Sequence, residues 1–327
     1  MKLTGKLLLS TLILAIATML AGAVVSALPL SPPVSLPGTS PSLPSMLLGS
    51  LVLVIGVVPI ASGLGGRFAT RWLALGLMLY LATGVNTVVE LSIFGTEGGR
   101  RYLLVFYFLC FVATAAVLAK QYGSQQSALQ LPHLGTGHLL WRIAVAWLSF
   151  PAIYFLFGLC VAPFVIPIYQ AGVAGLHIPP LDVIMRTQLL RSLLFLASSL
   201  PVILLWTGSR RRLILALGWA HTVMVGLYGL SQASFMPPVL RVLHSLEIAA
   251  DSFVYALVLG WLFFPARGLE PRRPCWEQLS LLRPRRHRSS YKVSISCPDA
   301  SAPCVWVRSE IPHFPPRSHP AFTIASP

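Results

Sequence analysis

Charge is what this sequence has least of. Of 327 residues, 24 are Lys or Arg and 9 are Asp or Glu, so charged side chains make up 10% of the chain. Soluble domains carry roughly a quarter. So few charges cannot cover a water-facing surface of this size, which excludes the ordinary soluble classes. Acids are scarcest: before residue 266 there are only Glu90, Glu97, Asp182, Glu247 and Asp251. Cysteine is sparse too, with Cys110 and Cys160 in apolar runs and Cys275, Cys297 and Cys304 near the C-terminus. Their spacings match neither a zinc pattern nor a CxxC pair, and on a cytoplasmic side they are expected to stay reduced. The sequence has no GxxxxGK[ST] phosphate loop, GxGxxG dinucleotide turn, GxSxG elbow or HExxH helix. No cofactor and no metal site are therefore expected.

What is present is apolar. Hydrophobic residues make up 55% of the chain, and runs of about 20 of them, the length that crosses a hydrocarbon core at 1.5 Å per residue, occur eight times. They lie near residues 7–28, 46–65, 72–94, 102–119, 140–168, 188–206, 213–235 and 244–264. In lipid each span must satisfy its backbone internally and so forms a helix. The expected fold class is all-α, a polytopic integral membrane protein with eight transmembrane helices. The first run, with Lys2 and Lys6 before it and Val25-Ser26-Ala27 near its end, also fits a secretory signal. Six prolines between Pro29 and Pro44, without a charge among them, predict a loop outside the membrane.

Positive residues set the orientation. With the N-terminus inside, the inner segments hold Lys2, Lys6, Arg67, Arg71, Lys120, Arg142, Arg210, Arg211 and Arg212, against Arg100, Arg101, Arg186, Arg191 and Arg241 outside. Nine against five places the N-terminus in the cytoplasm of a cell whose inner or plasma membrane the chain spans. Residues 266–327 change character, with ten prolines, nine serines and ten of the Lys and Arg. This basic segment is expected to be a disordered cytoplasmic tail. The net charge of +15 divides into +9 for residues 1–265 and +6 for the tail. It is topological bias plus a tail, not one basic surface, and the lipid bilayer rather than nucleic acid is the expected partner.

A shift of 142 residues superimposes Ser50–Gly95 on Ser192–Pro237 without a gap, with ten of 46 pairs identical. Pro59 falls on Pro201, Gly66 on Gly208, Leu73-Ala74-Leu75-Gly76 on Leu215-Ala216-Leu217-Gly218, and Gly84 on Gly226. Aligned glycines and prolines are less easily accidental than aligned leucines. The pattern predicts a 4+4 internal repeat, residues 1–125 and 126–265, in parallel orientation because each half has an even number of spans. Pro59 and Pro201 are candidate helix breaks, and a further break is expected near Pro163 of the fifth span. Thr18, Gly22 and Ser26 form a small-residue stripe suited to close helix approach.

Ionisable groups inside a bilayer need a partner or a role. His244, Glu247 and Asp251 lie at i, i+3 and i+7 in the eighth span, which puts them on one face with Asp251 roughly 10 Å from the start of the run. Asn86 and Glu90 occupy the third span, and the 142 shift maps them onto Tyr228 and Gln232. These residues, together with Arg241, are the candidate lining of an outward-facing polar pocket for a small solute, an ion or a lipid head group. The plainer expectation is a set of ion pairs, Arg241 or Arg191 with Glu247 or Asp251, that fixes packing near the outer interface. Three functions fit: a transporter-like protein using Glu90 and Asp251, a membrane enzyme on a lipid substrate using His244, Glu247 and Asp251, or an accessory subunit without catalysis.

Overall fold

The computed structural model describes residues 3–32, 42–93, 99–124, 136–172, 178–233 and 236–264. All of these belong to a unit spanning Met1–Ala266. The predicted tail and Glu97 lie outside the described residues.

Each apolar run is helical, and eight helices are long and apolar enough to cross a membrane. They are α1 (Leu3–Ser26), α2 (Leu43–Gly63), α3 (Phe68–Ile93), α4 (Arg100–Tyr122), α5 (Thr136–Gln170), α6 (Leu181–Leu205), α7 (Arg210–Leu230) and α8 (Pro238–Phe263). Among the described residues the only extended pairing is a single antiparallel bridge, Leu64 with Trp206. The helices reach past the apolar runs at several ends: α6 starts at Leu181 rather than 188, and α8 at Pro238 rather than 244. The added turns carry Asp182, Arg186 and Arg241. Hydropathy marks where lipid begins, whereas backbone hydrogen bonding continues through polar turns, so the two limits differ.

Proline does not break these helices. Pro151, Pro163 and Pro167 lie inside an uninterrupted α5, so the expected break near Pro163 is absent, and Pro59 and Pro201 lie inside continuous α2 and α6. A proline strands the carbonyl four residues before it, and two of these carbonyls find donors on neighbouring helices. Ser192 Oγ of α6 donates to the Trp147 carbonyl below Pro151 at 2.5 Å, and Trp219 Nε1 of α7 donates to the Ile55 carbonyl below Pro59 at 3.4 Å.

α1 packs on α2 and α4, and α3 on α4; α5 packs on α6 and α8, and α7 on α8. Between these groups run two crossings, α2 on α7 and α3 on α6. At the first, Gly56 faces Val223, and a Cβ there would come within 2.5 Å of that side chain. Beside it the bridge is closed by Gly65 N–H donating to the Leu205 carbonyl at 2.8 Å and Thr207 N–H donating to the Gly63 carbonyl at 2.9 Å. Both α3 and α7 widen into one π-helical segment, Tyr80–Val85 and Thr222–Leu227. These segments, and the α-helical starts at Phe68 and Arg210, are each 142 residues apart.

Cations sit at helix C-terminal ends, where carbonyls lack partners. Lys6 Nζ donates to the Gln121 carbonyl at 2.8 Å, Arg71 to those of Gly66, Ser124 and Ala119, and Arg142 to that of Leu262 at 2.6 Å. The small-residue stripe of α1 faces α4, with Gly22 against Phe106 and Ser26 bonded to Tyr102. The core between the helices is aliphatic and aromatic, and Arg71, Arg191, Glu247 and Asp251 are the buried charged residues among those described.

Candidate functional site

Where α5, α6 and α8 leave the crossings they enclose a cavity of about 370 Å³, completed by the end of α3. Its walls are chiefly apolar. Leu159, Leu181 and Ile178, which are 72%, 67% and 48% exposed, belong to its lining, so apolar groups stand at its exposed edge. Gly158 keeps one wall flat, since a Cβ there would stand 3.4 Å from Glu247 Oε1.

The acidic and basic residues Glu90, Arg191, His244 and Glu247 line this space. Arg191 is the hub. Its Nη2 meets Glu90 Oε1 at 2.7 Å, its Nε donates to Asn86 Oδ1 at 2.9 Å, and its Nη1 reaches Gln188 Oε1 at 3.4 Å. Asn86 Nδ2 in turn donates to Glu90 Oε1 at 3.2 Å. Three polar groups on two helices therefore hold the guanidinium in one orientation. The pairing differs from the expected one, because Arg191 takes Glu90 of α3 rather than Glu247 or Asp251 of α8.

Along the same cavity three side chains form a chain. His244 Nδ1 stands 3.0 Å from Glu247 Oε2, and His244 Nε2 stands 3.0 Å from the Tyr169 hydroxyl. One neutral tautomer satisfies both contacts: Nδ1–H donates to the carboxylate and Nε2 accepts from the phenol. Tyr154 of α5 lines the same cavity.

Asp251 lies one turn beyond Glu247 and is 5% exposed. With α8 starting at Pro238, it is thirteen residues in and twelve from the end, mid-helix rather than near one end as expected. Its Oδ1 has no hydrogen-bond partner among the described residues, and neither does the Tyr255 hydroxyl one turn further.

The other expected members are elsewhere. Gln232 Nε2 donates to the Tyr228 carbonyl at 2.9 Å, and its amide packs over Gly49 of α2, so that pair belongs to the α2–α7 crossing. Arg241, Pro59 and Pro201 do not line the cavity. Conversely, Tyr154, Tyr169 and Gln188 were not anticipated. Gln188 and Arg191, at i and i+3 of α6, carry a spacing signal of their own that places both on one helix face. Among the described residues no group of three His, Cys, Asp or Glu side chains is placed to hold a metal ion.

No known protein family, no curated protein and no solved structure matches this chain.

Proposed function

We propose that this chain is a transporter-like membrane protein whose cavity takes a small amphipathic solute with a cationic or hydrogen-donating head. The observation that carries this reading is the cavity's composition, with exposed apolar residues at the rim and charge gathered on its inner walls. An apolar rim admits a ligand from the bilayer more readily than from water, because a hydrated solute would lose its shell there without replacement. The charge balance selects the head group. Glu90 and Glu247 line the cavity with one guanidinium, Arg191, which is already bonded to Glu90 and Asn86. The uncompensated sign is negative, so a cation is favoured over an anion.

The wider architecture fits that role as two four-helix halves, residues 1–125 and 126–265, in parallel. The ten identities at the 142-residue shift support this, as do the π segments, helix starts and bridge partners at the same separation. The counts of Lys and Arg support a cytoplasmic N-terminus and tail in the cell's inner or plasma membrane, with the cavity toward the outer side. A lipid head group of matching charge satisfies the same chemistry.

The test is binding of tetraphenylphosphonium, a lipophilic cation, to the purified protein in nanodiscs. Saturable binding is expected, weakened at least about tenfold by Glu247→Gln, a loss of about 1.4 kcal/mol. No saturable binding by the unmutated protein refutes the reading. One observation favours a second reading, a membrane enzyme acting on a lipid or lipid-linked substrate: the Tyr169–His244–Glu247 chain is an arrangement suited to acid–base work. A changed lipid profile in cells lacking the gene distinguishes it.

A further inference from the structure

We infer that Asp251 is the proton-carrying carboxyl of this protein, losing its proton when a cation enters the cavity and regaining it when the cation leaves. The inference rests on the cation-binding reading above and adds a coupled ion to it.

Three observations carry it. Asp251 is 5% exposed, and its Oδ1 has no hydrogen-bond partner among the described residues. A buried carboxylate with an unpaired oxygen is costly, and the least costly remedy is a proton. Secondly, it stands at the middle of α8, about 20 Å from the start of the helix, the depth at which a spanning helix is farthest from head groups. Thirdly, the one guanidinium near it is taken. Arg191 is engaged by Glu90, Asn86 and Gln188, while the closest acid on its own helix, Glu247, adds a like charge.

The charged and titratable groups around Asp251 are few. On the cavity side, α3 supplies Glu90, α5 supplies Tyr154 and Tyr169, and α6 supplies Arg191; α8 itself supplies His244, Glu247 and Tyr255. α7 carries Arg210, Arg211 and Arg212 in its first turn, then His221, bonded to Ser199, and Tyr228, and among the described residues none of them forms a hydrogen bond or ion pair with Asp251. None of these provides a free permanent cation to hold Asp251 ionised in the empty state. A ligand cation beside Glu247 does so.

The step balances without a co-reactant. The Asp251 O–H bond breaks, the carboxylate keeps the electron pair, and the bound cation compensates the new charge. Glu247, one turn from Asp251 on α8, lines the cavity with His244 and Tyr169 in one hydrogen-bonded chain, and the released proton passes to water by way of that cavity. The sign follows from linkage. Acid keeps Asp251 neutral and weakens cation binding, whereas raising the pH through its titration strengthens binding by at most tenfold per pH unit.

The experiment measures tetraphenylphosphonium affinity against pH, together with proton release on binding in weakly buffered solution, using the full chain in nanodiscs. The unmutated protein is expected to release about one proton per ligand and to bind more tightly as pH rises. Asp251→Asn is expected to release none and to bind weakly with no pH slope, whereas Asp251→Glu restores the slope. His244→Asn is expected to lower affinity but keep the slope. A slope that persists in Asp251→Asn, or that vanishes in His244→Asn, overturns the assignment. If Asp251→Asn does not fold, the infrared difference spectrum of the unmutated protein decides. Ligand binding must abolish a protonated-carboxyl band, and a spectrum without that loss overturns the proposal. Binding without proton release sinks this inference alone, whereas absence of binding removes the cation-binding reading as well.

Discussion

At the scale of single residues, Arg191 is the group on which the charged wall depends, since it joins α6 to α3 through Glu90 and Asn86. Arg191→Gln leaves Glu90 without its cation. A fully buried pair broken on one side costs about 3–5 kcal/mol. Because the Glu90 side chain is 31% exposed, water screens part of this, and about 1–3 kcal/mol is expected. The double variant Glu90→Gln with Arg191→Gln removes both charges and should recover most of the loss in an unfolding titration with denaturing detergent. A double variant as unstable as Arg191→Gln alone would show that the guanidinium acts by packing, for instance over the Phe195 ring 5.6 Å away. Much of this wall is legible in the sequence, because acids in an apolar run are conspicuous and the spacings of Asn86 with Glu90 and of His244 with Glu247 place each pair on one helix face. Arg191 is legible as an ion-pairing residue, but its partner is not: α6 begins ten residues before it and buries it against α3, so it meets Glu90 rather than Glu247 or Asp251.

At the scale of helices, each transmembrane element has to resolve backbone groups that its own prolines leave unpaired, and neighbouring helices do so. The Trp147 carbonyl, freed by Pro151 of α5, is taken by the buried Ser192 hydroxyl of α6. Ser192→Ala is expected to cost about 1 kcal/mol, the scale of one interhelical hydrogen bond in a membrane. Pro151→Ala restores an N–H donor within α5, so in that background Ser192→Ala should cost nearly nothing. A detergent-unfolding cycle over the four proteins measures the coupling, and equal costs in both backgrounds would show that Ser192 does not cap this carbonyl. The existence and number of helices is the part of the fold most legible from composition, since lipid leaves a span no other structure. The continuity of α5 was not legible. The sequence shows that Pro151, Pro163 and Pro167 remove three donors, but not that a serine in another helix supplies one in return. Nor does any sequence feature announce the π segments of α3 and α7, although Gly84 and Gly226 lie at matching positions within them.

At the scale of the whole bundle, the crossings α2 on α7 and α3 on α6 and the Leu64–Trp206 bridge join residues more than a hundred positions apart. Two halves cut between α4 and α5 should therefore retain the information needed to find each other. Within the first half, α1 and α3 both pack on α4; within the second, α5 and α7 both pack on α8. Each half thus has internal contacts of its own, and the two crossings, the meeting of the π segments of α3 and α7, and the bridge need to re-form between chains. Co-expression of residues 1–128 and 129–327 is expected to yield a complex that co-purifies and binds tetraphenylphosphonium as the intact chain does. Trp206→Ala tests the seam directly. Its indole packs on Gly63, which leaves no room for a Cβ, so its removal opens a gap at the bridge. In the intact chain the connection between α4 and α5 adds to the helix crossings in holding the halves together despite that gap, whereas the split pair has the crossings alone. The split pair should therefore separate with Trp206→Ala while the intact variant remains folded. If the split pair co-purifies equally well with and without Trp206, the association comes from the helix crossings alone and the bridge is incidental to it.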